Sequence, residues 1–286
     1  MDAGENACGS YRLLQPLDYC EVGEAYVAKR LGAGGFEKPA LLWRLHTASR
    51  PDRRMVAAVI SEAKQAALLS HTTIAHVLDL GLSGGTCFVA TELAGGPTLD
   101  ALLRRPWPIS WSAAAYIVKE AAKALGYVHR RRDPGGALLR LVHGRLSPRR
   151  IVLCDNGGIK ITGFGTSRAW TGRDLPRVPE AERGDPIDGR ADVFMLGKIL
   201  EVCLRRHEAP EALWRAVADA TEPYQERRCT AWELEERLVA VLHRHHPCAT
   251  AQELLGIHTP PRPQITGRLW QRAIPFRSRA GARRPR

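Results

Sequence analysis

Apolar positions in the first hundred residues come in short, strand-like runs, and beyond residue 111 they recur at helical spacing. Residues 11–17 and 24–30 flank a turn around 18–23, and 39–45 makes a third apolar run. Residues 74–82 and 86–93 read as a hairpin closed at Ser83-Gly84-Gly85. Within this strand-rich part, 56–70 alone combines good helix formers with apolar residues three and four apart. A long helix is predicted over 112–132, its cationic end at the C-terminus where the helix dipole favours it. Further helices are predicted over 191–207, 210–221 and 230–245. The Gly/Pro-punctuated stretch 97–108 is the natural join between a small strand-rich lobe (11–96) and a larger helical lobe (97–245). The fold class is therefore α+β.

Composition narrows this only a little. The chain has 286 residues, 44% hydrophobic and 25% charged, enough to bury a core in one large domain or two lobes. Seven cysteines lie scattered without a CxxC pair, which points to free thiols and a cytoplasmic protein. The first residues lack a signal pattern and no apolar run reaches membrane-spanning length, so no membrane association is expected. The net charge of +12 is concentrated after Pro261, where many arginines meet no acidic residue. Residues 261–286 are expected to be a basic, disordered tail, 246–260 a short helical extension, and 1–10 a flexible N-terminus. Trp270 and Phe276 leave open a nucleic-acid role for the tail, which is the weaker reading. His243, His245 and His246 lack a Cys or carboxylate at ligand spacing and read as a charged helix end. Trp214 and Trp232 are expected in the core.

The stretch 141–165, LVHGRLSPRRIVLCDNGGIKITGFG, is laid out like an active-site loop. Two short apolar strands meet at Asn156-Gly157, a turn whose usual hairpin form takes positive φ at both central residues. The loop before the hairpin carries arginines, and the one after it opens with a glycine.

Over residues 11–245 the chain resembles the bacterial eukaryotic-like serine/threonine protein kinases. SEAKQAALLSHTTI resembles the family's helix C with Glu62 at its glutamate, and VHGRLSPRRIVL resembles the catalytic loop. IKITGFG resembles the strand ending in D-F-G. VPEAERGDPIDGRADVFMLG resembles the A-P-E segment with the helix after it, and EPYQERRCTAWEL a late arginine-bearing helix. The resemblance implies a bilobal kinase-like fold with a small antiparallel-sheet lobe. It also implies structural supports: His143 and Phe164 stacked beneath helix C, Asp192 holding the catalytic-loop backbone, and a buried Glu180–Arg228 pair.

The departures fall on the reagents. The phosphate-holding lysine position has Trp43, the catalytic aspartate Arg145, the metal-binding asparagine Arg150, and the D-F-G aspartate Gly163. Asp18 and Cys20 stand at two glycines of the phosphate loop, leaving Gly23; Gly23 and Glu62 are the remnants of the cofactor site. Arg44 cannot replace the lysine, because neighbouring strand residues face opposite ways. Lys29 is the one nearby candidate, and a strand-end surface role suits it better. Arg145 and Arg150 either form a metal-free anion pocket or, as expected, pair with Glu62, Asp155 or Asp174 and close the cleft. Ser167 and Thr171, near Arg168 and Arg173, are candidate phosphorylation sites. The expectation is a catalytically inactive pseudokinase without ATP or magnesium, binding a protein partner such as an active kinase or other signalling protein. The alternative is a nucleotide-dependent phosphotransferase with relocated groups.

Overall fold

The computed structural model describes residues 7–20, 23–45, 53–106, 109–133, 135–165 and 178–245. The tail, the 246–260 extension, Ser167, Thr171, Asp174 and His246 lie outside them. Six strands form one antiparallel sheet in the order β1-β2-β3-β4-β6-β5. They are β1 (Ala7–Cys8), β2 (Tyr11–Cys20), β3 (Gly23–Leu31), β4 (Glu37–Leu45), β5 (Val77–Ser83) and β6 (Thr86–Glu92). Cys8 is buried and pairs with Tyr11, so the sheet begins inside the stretch expected to be flexible.

Alternation along β4 sorts its side chains between two cores. Trp43 and Leu45 face helix α1 (Arg53–Ala66), packing with Ala25, Val59, Ala63 and Val89. Ala40 and Leu42 face the other way, onto Tyr11, Ala28 and Phe88. Helix α1 ends four residues earlier than its pattern predicts, because Leu68 and Leu69 close turns onto Gln65 and Ala66 rather than continuing the helical ladder.

The join carries a short helix, α2 (Leu99–Leu103), N-capped by Thr98. Helix α3 (Trp111–His129) is the axis of the larger lobe and packs against α5 (Arg190–Leu204) and α7 (Ala231–His245). Ser110 caps α3, and Thr230 and Glu233 form a reciprocal capping box at α7. A short α4 (Pro179–Arg183) and α6 (Glu211–Ala220) complete this lobe's helices among the described residues.

Trp214 and Trp232 are not in the core: they are 37% and 48% exposed. The buried stripes run through Leu213, Ala216, Val217 and Ala220 on α6, and through Ala231, Leu234, Leu238 and Val241 on α7. Each tryptophan follows a stripe residue by one position, which turns it about 100° away.

Between the lobes lies a two-stranded hairpin, β7 (Ile151–Leu153) with β8 (Ile159–Ile161). Its turn differs from the two-residue form: Gly157 is left-handed at φ 82°, Asn156 is not, and Cys154 closes the loop against both Gly157 and Gly158. The extra residues let Asn156 accept from the Gly158 N–H, a local Asx bond.

Candidate functional site in the interlobe cleft

The loop 143–150 hangs from one buried carboxylate. Asp192, on the first turn of α5 and fully buried, accepts the His143 N–H at 2.9 Å and the Gly144 N–H at 2.8 Å. The His129 ring, at 2.9 Å, is its third partner. Asp192→Asn replaces one acceptor oxygen by an amide facing N–H groups, so a loss of about 1–3 kcal/mol is expected in urea unfolding.

His143 is equally enclosed. Its Nε2 meets the Thr162 carbonyl at 3.0 Å, and its Nδ1 accepts from the Arg145 N–H at 3.3 Å, which fixes the neutral Nε2–H tautomer. Burial holds its imidazole below the ordinary value despite the nearby Asp192 carboxylate. The ring stands edge-on to Phe164, centroids 4.6 Å apart. Gly165 then runs so close to α1 that a Cβ there would lie 3.1 Å from the Ala63 Cα.

Arg150 and Gly163 meet on this support, whereas Trp43 belongs to the core between sheet and α1. Trp43 is the largest fully buried side chain and lies between sheet and α1, on the face opposite Arg44. Arg44 pairs with Glu24 at 2.6 Å and lies over the Tyr26 ring. Gly163 has φ 102°, and a Cβ on it would meet the Arg150 Cδ at 3.3 Å. The stem of Arg150 thus occupies the space into which a side chain at 163 would project. Arg145 is half-buried, and its Nη1 is buried with no hydrogen-bond partner among the described residues. Burial pushes this guanidinium below its usual value, and Glu62 pulls it part of the way back. Glu62 borders the buried α1 stripe and also acts on His143. Asp155 lies exposed at the hairpin turn.

The Gly23 remnant and the candidate lysine Lys29 both have structural explanations. A Cβ on Gly23 would come within 2.4 Å of the Arg44 carbonyl oxygen, so β3–β4 packing alone requires glycine there. Lys29 pairs with Glu37 at 2.5 Å across the strand end, as a surface lysine would. No group of three potential metal-ligating side chains occurs among the described residues.

Sequence reasoning missed a second anchor of the hairpin. Lys160 on β8 reaches Glu92 at the end of β6 at 2.8 Å, and Glu92 also meets His76 at 3.2 Å. Burial raises the Glu92 carboxyl, but Lys160 outweighs it and leaves the group below the usual carboxylate range. Backbone bonds run beside this pair: Ala75 N–H to the Ile161 carbonyl, Ile161 N–H to the Thr73 carbonyl, and Leu153 N–H to the Pro97 carbonyl. Lys160 and Glu92 are 68 residues apart, and no local pattern couples them.

The family model for protein tyrosine and serine/threonine kinases matches residues 31–187, a little over half of the chain. The chain belongs to the protein kinase family. Among its kinase relatives is the tyrosine-protein kinase MasK of Myxococcus xanthus, 30% identical over 210 residues, covering 66% of this chain and 32% of that protein. Another is the serine/threonine-protein kinase PknB of Mycolicibacterium smegmatis, 29% identical over 156 residues, covering 49% of this chain and 24% of the relative. The chain thus spans about a third or less of these relatives. The kinase domain of Mycobacterium tuberculosis PknI shares the fold, with a TM-score of 0.66 at 21% identity, covering 84% of this chain and 99% of that domain. The bilobal kinase fold expected from the sequence is therefore present. No described helix is long and apolar enough to cross a membrane.

Proposed function

We infer that this kinase-family chain does not transfer phosphate and works as a protein-binding or allosteric signalling module. The observation that carries this reading is the pair of guanidinium side chains, Arg145 and Arg150, at the metal corner of the cleft. Kinase chemistry is positioning and electrostatics, with magnesium bridging the phosphates and an aspartate orienting the acceptor hydroxyl. Magnesium takes oxygen ligands, one or two of them carboxylates. Guanidinium groups offer no lone pair and keep their protons. The residues at this corner therefore do not fit the metal, and no step is written through it. Trp43 adds a buried indole where an ammonium would have to reach phosphate. The supports are kept: Asp192 under the loop, His143 against Phe164, and Glu180 with Arg228.

The reading is tested by thermal unfolding with ATP, with and without magnesium, alongside transfer of label from the γ-phosphate. A ligand at a hundredfold excess over its Kd stabilises the native state by about 2.7 kcal/mol. In a chain of this size that is a midpoint shift of roughly 5–10 °C. No magnesium-dependent shift and no labelled product are expected. Magnesium-dependent stabilisation with label transfer that disappears on replacing Lys29 or Glu62 would establish relocated catalytic groups instead.

A further inference from the structure

Away from the cleft, the larger lobe has an open cavity of 570 Å³ between the C-terminal end of α3, the irregular segment 140–142 and the start of α7. Arg130, Arg140 and Arg190 line it together with Leu141, Ile187 and Trp232. Arg140 is the one non-glycine residue with positive φ, 49°, among the described residues. That conformation is free for glycine and unfavourable for any residue with a Cβ. The chain nonetheless places a long cation there, beside a cavity, where strain is a pointer to function. Neither Arg130 nor Arg140 has a carboxylate within ion-pair distance among the described residues. Arg190 is anchored by donating to the Gln225 carbonyl at 2.8 Å. The one acid lining the cavity among the described residues, Asp188, accepts the Arg190 N–H at 2.8 Å. The cavity is therefore net cationic over an apolar floor.

The apolar surface runs beyond the cavity mouth. Ile187 is 51% exposed and Trp232 48%. From Trp232 a shallow, mixed strip follows α7 past Val239 and Ala240, lined also by Glu235, Glu236, His243 and Arg244. A small anion would fill the cationic end and leave the exposed Ile187 and Trp232 side chains uncovered. A peptide covers both, laying an apolar side chain on the indole and an acid between the arginines.

We propose that this cavity and strip dock a peptide segment of a partner protein in which an acidic residue lies next to an apolar one. The site does not depend on whether the cleft is catalytic. Its signature is that binding and stability move in opposite directions: Arg140→Gly relieves the backbone while removing the guanidinium.

The test is selection of a displayed random dodecapeptide library on the full chain, followed by affinity measurement of individual peptides. Recovered peptides are expected to carry Asp or Glu within a few positions of Leu, Ile, Phe or Trp. Each is expected to bind Arg140→Gly and Trp232→Ala at least tenfold more weakly, while the unfolding midpoint of Arg140→Gly rises. Failure to recover any peptide overturns the proposal. So does recovery of peptides lacking an acidic residue, affinity unchanged by either substitution, or a fall in the Arg140→Gly midpoint.

Discussion

Arg228→Ala is expected to remove about 3–5 kcal/mol of stability, a large share of the 5–15 kcal/mol available to a folded domain. Arg228 and Glu180 are both closed to solvent and joined by two parallel bonds of 2.8 and 2.9 Å. Arg228 also donates to the carbonyls of Glu222 and Arg190 at 2.9 and 2.8 Å, and its guanidinium lies 4.9 Å over the Phe194 ring. Truncation leaves a buried carboxylate without its counter-charge and frees those carbonyls at once. Arg228→Lys is expected to recover little, because an ammonium cannot reproduce the planar fork. Urea unfolding measures both, and a loss below about 1 kcal/mol for Arg228→Ala would contradict the pair's role.

The same pair sets an acid dependence. Burial raises the Glu180 carboxyl, but its bonds to Arg228 outweigh this and hold it below its ordinary value of 4.5. A group lowered on folding contributes stability that is complete above its unfolded value and is lost as pH falls through its folded value. The gap between the native chain and Glu180→Gln is therefore expected to be constant from neutral pH down to about 5 and to narrow at more acid pH.

Trp43→Ala is expected to cost about 3–5 kcal/mol. The indole is 1% exposed, and much of its surroundings is short: Ala25 on β3 and Ala63 on α1 leave the volume it fills. Small neighbours fixed by strand pairing and helix packing cannot close over the void. Trp43→Lys places an ammonium in the same apolar site and is expected to destabilise the chain without conferring magnesium-dependent nucleotide binding. Loss of the Trp43 contribution to near-UV ellipticity, together with the urea midpoint, reads out both variants. Retained stability in Trp43→Ala would show that the position is not a core position.

Most of the fold was legible: short apolar runs between turn signals marked β2 to β6, and helical spacing marked α1, α3 and α5 to α7. The supports were legible through the family resemblance, because His143, Phe164, Asp192, Glu180 and Arg228 each sit within a segment that matches one of its motifs. Exposure of Trp214 and Trp232 was less accessible, since one residue of helical phase decides it and the phase depends on neighbours distant in sequence. The Lys160–Glu92 pair and the left-handed backbone of Arg140 left no local trace, because topology sets the first and loop closure the second. The short elements α2, α4 and β1 are likewise too brief to show a period.

The hairpin β7–β8 is sewn to the sheet side through Thr73, Ala75 and Glu92, and to the interlobe join through Pro97. The loop beginning at His143 is bolted from below to α5 by Asp192. Any displacement of the helical lobe against the sheet would therefore strain the bonds at Thr73, Ala75, Pro97 and Asp192 together.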